Sequence, residues 1–113
     1  MALWPNDKPV PVLAEDYDRA AELLDIFGWA QLQSVTSEGA TCMGLAIVRA
    51  VAERRGIKTK LSSGIIEWEQ VYRDTGLHYS VAHWNDTPGR TKEEVQEKLR
   101  STAANRRERE AVA

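Results

Sequence analysis

Apolar residues crowd most densely in TCMGLAIVRAVAERRG, Thr41 to Gly56, where only Arg49 is charged between Cys42 and Ala52. They run round every side of a helix instead of forming one stripe, and a helix of that kind is covered by its neighbours. It is too short to cross a bilayer, which takes about 20 apolar residues. Arg54 and Arg55 suit the dipole in the last turn, and Gly56 can take the left-handed stop. The pattern predicts a buried central helix.

Before it, Tyr17, Ala20, Ala21, Leu24 and Phe27 follow helical spacing and predict a helix over Glu15–Phe27. Glu15, Asp16 and Asp18 favour its start and Gly28 its end. Residues 30–40 read as loop, with one short strand at Leu32–Val35. After the central helix, Ser62 or Ser63 can cap a third helix over Ile65–Thr75, closed by Gly76, with Ile65, Trp68 and Tyr72 on one face. Leu77–His83 fits a strand or a helical turn. A last helix runs from Lys92 to Arg106, with Val95, Leu99, Thr102 and Ala103 facing in. The fold class is all-α: about four helices packed around the buried one.

Residues 1–13 depart from this pattern. Pro5, Pro9 and Pro11 bar a helix, so the stretch is an extended arm outside a helical domain of residues 14–106, with 107–113 a frayed tail. Trp4, Val10 and Val12 make the arm more apolar than a solvated linker. They are the candidate partner-binding residues, the alternative being that the arm lies on its own domain.

A chain of 113 residues is one domain with a single core, and its composition is that of a soluble protein. One cysteine excludes an internal disulfide and fits a reducing cytoplasm. The proline-broken N-terminus lacks the apolar core of a secretion signal, and no span for a membrane exists. The net charge of −2 divides into an acidic front, with two bases against seven acids in residues 1–39, and a mildly basic end. That is no nucleic-acid footprint, which needs clustered bases.

Local chemistry is densest at Trp84-Asn85-Asp86-Thr87-Pro88-Gly89-Arg90-Thr91. Thr91 and Glu94 form a capping box for the last helix. Asn85 and Asp86 can fold onto nearby backbone N–H groups. Arg90 precedes a helix start, where a cation opposes the dipole, and Asp86 is the nearest acid to hold it. Trp84, Asn85, Asp86, Arg90, Thr91 and Glu94 are therefore assigned to a structural turn, with a ligand site as the alternative.

Gly28-Trp29, then Cys42-Met43-Gly44-Leu45-Ala46, then Trp84-Asn85-Asp86 with Arg90-Thr91 and Glu94-Val95 occur in that order over residues 15–104. The chain thereby resembles a group of small uncharacterised helical domains of actinobacteria and their bacteriophages. Leu45-Ala46 inverts the order typical of that pattern. The resemblance implies a small cytoplasmic helical domain of bacterial or phage origin and implies no activity.

Catalysis would centre on Cys42, a thiol at a helix start, with His78 or His83 and then Asn85 or Asp86 in the order used by cysteine hydrolases. Its apolar neighbours speak for a packed, inert thiol. One cysteine and two histidines five apart give no metal-binding spacing, and no phosphate loop or cofactor signature occurs. Trp29, Trp68 and Trp84 are assigned to the core, leaving Trp4 for a partner. The expected function is non-enzymatic binding of a protein, either a bacterial host protein modulated by this chain or a second copy. A Cys42-dependent hydrolase ranks second and a nucleic-acid accessory protein third.

Overall fold

Five α-helices follow one another in the computed structural model, which describes residues 8–58, 60–77 and 80–111. They are α1 (Ala14–Ile26), α2 (Met43–Arg55), α3 (Trp68–Thr75), α4 (Val81–Asn85) and α5 (Lys92–Ala111), with a 3-10 turn at Ser63–Ile65 before α3. The fold is mostly helical, with no strand among the described residues beyond isolated bridges. α1 packs against both α2 and α5, while α4 and the 3-10 turn cover more of α2.

α2 is the buried helix that its all-round apolar pattern predicts. Met43, Gly44, Ala46, Ile47, Val48, Ala50, Val51 and Ala52 are all buried. It stops where Gly56 turns left-handed at φ 67°. The near approach of its neighbours is visible at Gly44, where an added Cβ would lie 3.0 Å from the Trp68 ring.

The arm is partly a piece of the core, which corrects its assignment to a partner. Val10 and Val12 are buried in the main apolar cluster, while Trp4 lies outside the described residues. Pro-Val-Pro-Val alternates with the period of an extended chain, so both valines face inward and Pro9 and Pro11 face solvent. The prolines stand where no donor is required. The valine amides bond instead, Val10 N–H to the Ile65 carbonyl at 2.7 Å and Val12 N–H to Gln70 Oε1 at 2.8 Å.

That docking also divides the third predicted helix. Ile66 is extended (φ −115°, ψ 162°) and bridges Val10 in parallel, so helix cannot run from Ile65 through it. α3 starts afresh at Trp68. Phe27 departs from expectation too: it follows the last turn of α1 and is exposed, its ring covered by the Arg49 guanidinium at 4.3 Å. Of the stretch Leu77–His83, residues 78 and 79 lie outside the described residues, and Val81–His83 open α4, capped where Ser80 Oγ accepts the His83 N–H at 2.8 Å.

Two buried carboxylates tie the elements together. Asp16 accepts the Leu13 N–H at 2.8 Å and the fork of Arg54 from the last turn of α2, Nη2 lying 2.8 Å from Oδ2. Asp74, on α3, accepts the Tyr17 hydroxyl at 2.7 Å, Arg106 Nη1 at 3.1 Å and Arg109 Nη2 at 2.7 Å. Burial, then the Asp74 carboxylate, pushes the Tyr17 phenol well above its ordinary range, so it stays a donor. These bonds explain why α5 continues past the expected end at Arg106. Arg109 is held by Asp74, and Arg107 by Asp18 at 2.7 Å.

Replacing Asp74 with Ala removes an acceptor shared by Tyr17, Gln70, Arg106 and Arg109. Asp74→Ala should destabilise the fold by about 2–4 kcal/mol, near the lower end for a broken buried pair because the arginines can turn to water. Arg109→Ala removes a partner that is 54% exposed and should cost under about 1 kcal/mol. Denaturant midpoints of the two variants check this; equal losses would show that Asp74 is no hub.

Candidate functional site

The start of α2, the loop from Gly28 to Thr41 and the turn after α4 converge on Asn85. The side chain is fully buried and uses both ends of its amide. Oδ1 accepts Trp29 Nε1–H at 2.7 Å and the Met43 backbone N–H at 3.0 Å. Nδ2 donates to the Ala30 carbonyl at 3.0 Å and to Asp86 Oδ1 at 2.9 Å. Met43 is the first residue of α2, whose amide has no partner within the helix. Asn85 therefore caps α2 from 42 residues away.

Asp86 continues the clamp. Its Oδ1 also accepts the Leu32 N–H at 2.8 Å, and Gln31 Nε2 donates to the carbonyls of Asn85 at 3.0 Å and Thr87 at 3.2 Å. The loop is thus pinned at residues 29–32, and the expected strand at Leu32–Val35 does not form. Leu32 sits at φ 66°, left-handed backbone that branched and bulky side chains rarely adopt, and its side chain is 83% exposed.

Asp86 does not hold Arg90, contrary to the sequence reading. Arg90 Nε donates to the Trp84 carbonyl at 3.0 Å and its guanidinium stacks 3.9 Å over the Trp84 ring, with Glu94 at 3.7 Å. Asp86 is already committed to Asn85 and Leu32. The Thr91–Glu94 capping box is present in both directions, Glu94 N–H to Thr91 Oγ1 at 3.2 Å and Thr91 N–H to Glu94 Oε1 at 2.9 Å. Trp29, Trp68 and Trp84 are partly buried and pack against the core instead of lying inside it.

A cleft of about 560 Å³ opens beside the first turn of α2. Gly44, Leu45, Leu61 and Val81 with the rings of Trp68 and Tyr72 form its apolar side. Ser34, Cys42, Lys60, Ser62, Ser63 and Ser80 supply polar atoms. Of these, only Cys42 stands out in the sequence as a chemical group, and Ser62 or Ser63 only as a helix cap; the polar residues other than Cys42 come from three separate loops and share no spacing.

Cys42 caps α2 with its own sulfur, Sγ accepting the Leu45 N–H at 3.5 Å. Burial raises its pKa above the ordinary thiol range, and the N–H groups of Leu45 and Gly44 only partly offset this. A nucleophile needs the opposite shift and a base at hand. Neither histidine is among the described residues lining the cleft; His83 is exposed on α4, and His78 lies outside the described residues.

Residues 8–105 match the profile of a family of unknown function (DUF6197), so the chain belongs to that family. The match begins at residue 8, taking the docked half of the proline arm into the family unit. No curated protein and no solved structure matches the chain. Among the described residues no helix is long and apolar enough to cross a membrane.

Two outcomes test the site's construction. Asn85→Ala orphans the Met43 and Trp29 donors and the Ala30 carbonyl, each costing about 1–3 kcal/mol without full additivity, so a loss of about 3 kcal/mol is expected. Asp86→Ala frees mainly the exposed Leu32 N–H and should cost about 1 kcal/mol; the order of the two denaturation midpoints is the check. For Cys42, alkylation at pH 7 should be at least about tenfold slower in the folded chain than in denaturant. Its rise with pH should lie above that of a free thiol, because the folded state holds its proton longer. A fold-independent rate would mean an open, activated thiol.

Proposed function

We propose that this member of the family is a non-enzymatic binding module that docks a protein partner on the segment running from the end of α1 into the clamped loop. One observation carries the reading. The exposed large hydrophobic side chains among the described residues, Ile26, Phe27, Leu32 and Val35, all fall within residues 26–35. Elsewhere among the described residues the large aliphatic side chains are buried or partly buried, so the gathering of the exposed ones in ten residues marks an interaction surface.

Leu32 is the central anchor. Asp86 holds the Leu32 N–H and the Gln31 side chain ties the preceding residue to the turn after α4, which limits the loop freedom to be lost on docking. A rigid, exposed apolar side chain on an unfavourable backbone angle is held there by the rest of the fold. The bases in the tail offer a poorer surface, because Arg106, Arg107 and Arg109 are paired with Asp74 and Asp18. That arrangement favours a protein partner over nucleic acid.

The finer reading is that the partner is a bacterial host protein, modulated in the cytoplasm by an accessory protein of phage or bacterial origin. It is supported by the resemblance to actinobacterial and phage domains and by the single free cysteine. Trp4, outside the described residues, remains the arm's candidate contact.

The test compares the full chain with Leu32→Asp as baits in bacterial lysate, read by quantitative mass spectrometry. One protein should be enriched by the wild type and fall at least about tenfold with the variant, while the two melt within a few degrees of each other. Equal recovery from both baits would remove the 26–35 segment as the docking surface. Sedimentation of the purified chain separates a second copy from a different partner.

A further inference from the structure

We propose that the cleft beside α2 is a binding site for a small organic monoanion, a carboxylate carried on a flat apolar body. The inference stands apart from the protein-docking reading, since of residues 26–35 only Ser34 and Val35 line the cleft and the proposed anchor Leu32 does not.

Size comes first. At about 560 Å³ the cleft lies within the roughly 300–1,000 Å³ of small-molecule sites. Its shape of surface decides the body of the ligand. Trp68 and Tyr72 stand with ring centroids 6.0 Å apart and planes tilted by 34°, flanked by Leu45 and Val81. Trp68 Nε1 already donates to the Ser63 carbonyl at 2.6 Å, so its ring can receive an apolar face without leaving a donor unmet.

Charge decides the head group. Lys60 is the one charged residue among the described residues that line the cleft, and no Asp or Glu accompanies it. A cation would meet like charge, and a neutral molecule would leave the ammonium unused. A phosphate dianion calls for more than one base. A single carboxylate matches one lysine, with serine hydroxyls to share its remaining lone pairs. Ser80 is poised for this: its oxygen accepts the His83 N–H, leaving its hydroxyl proton to donate. Recognition does not rest on the helix start, because the Met43 and Leu45 N–H groups are bonded to Asn85 and Cys42.

Cys42 gives an internal reporter, being the chain's one cysteine and part of the cleft wall. The probes are 2-naphthoate and its neutral counterpart 2-naphthalenemethanol, titrated into the full chain by calorimetry. Naphthoate should bind at one site, at least about tenfold more tightly than the alcohol, and should slow iodoacetamide labelling of Cys42. Lys60 is exposed, so Lys60→Gln leaves the fold intact and should abolish the preference for the anion. Ala82→Trp, at an exposed position on the rim, should block both probes.

Equal affinity for the two probes, or a preference that survives Lys60→Gln, overturns the anion assignment. Naphthoate binding that leaves Cys42 labelling unchanged places the ligand elsewhere and overturns the site. That readout uses the wild-type chain and stands even if Ala82→Trp fails to fold. Leu32→Asp should bind naphthoate normally, so failure of the protein-docking reading and failure of this one are separate results.

Discussion

One buried amide ties the start of α2, the loop after α1 and the turn after α4 together. Asn85 offers two acceptor sites and two donors, and the fold meets all of them with groups from the loop, the start of α2 and its own neighbour. Each bond contributes about 1 kcal/mol net, but an unmet group at the same place costs more, and that asymmetry makes the arrangement all-or-none. Were α2 to shift along its axis, Met43 would lose its acceptor. Were the loop to peel away, Trp29 and Ala30 would lose theirs. The position of α2, the course of the loop and the shape of the cleft are thus one constraint.

The other end is held by charge. Asp16 and Asp74 are both buried, and each is ringed by donors from other elements: Arg54 on α2 for the first, Tyr17 on α1 and two arginines of α5 for the second. A carboxylate taken out of water is stable only when its oxygens are met in this way. Much of the chain's charge asymmetry is consumed here. The acidic front and the basic end face each other across the α1–α5 contact, as Arg107 with Asp18 and Lys92 with Asp25 show. The basic tail is accordingly a seam of the domain and not a free cationic arm.

Between these two fastenings the 26–35 segment is left to present apolar side chains outward. Its rigidity comes from the turn after α4, so the residues that fix the loop and those that it exposes are different. On the proposed function, a substitution at Asp86 would act on docking through geometry and one at Leu32 through contact. The cleft shares Ser34 and Val35 with this loop, which places it next to the exposed 26–35 segment.

The sequence by itself determined the elements whose signals are local. The all-round apolar run of α2, its Gly56 stop, the Gly76 stop of α3 and the Thr91–Glu94 capping box are settled within a few residues, because backbone donors and side chains there meet inside one turn. Val10 and Val12 read as partner contacts, because the Pro-Val alternation gives an extended chain but not the surface that it meets; docking beside Ile66 and Gln70 decided that. Tertiary structure alone decided the rest. Asn85 and Asp86 could satisfy themselves on neighbouring amides, but burial beside the loop and the start of α2 offered partners 42 to 56 residues away. Arg90 turned from Asp86 to the Trp84 ring for the same reason, the carboxylate being already occupied. Ile66 left the helix that its neighbours favour because pairing with Val10 required extended backbone. Leu32 carries no sequence signal at all: its exposure and its left-handed angle exist only because residues far along the chain hold the loop in place.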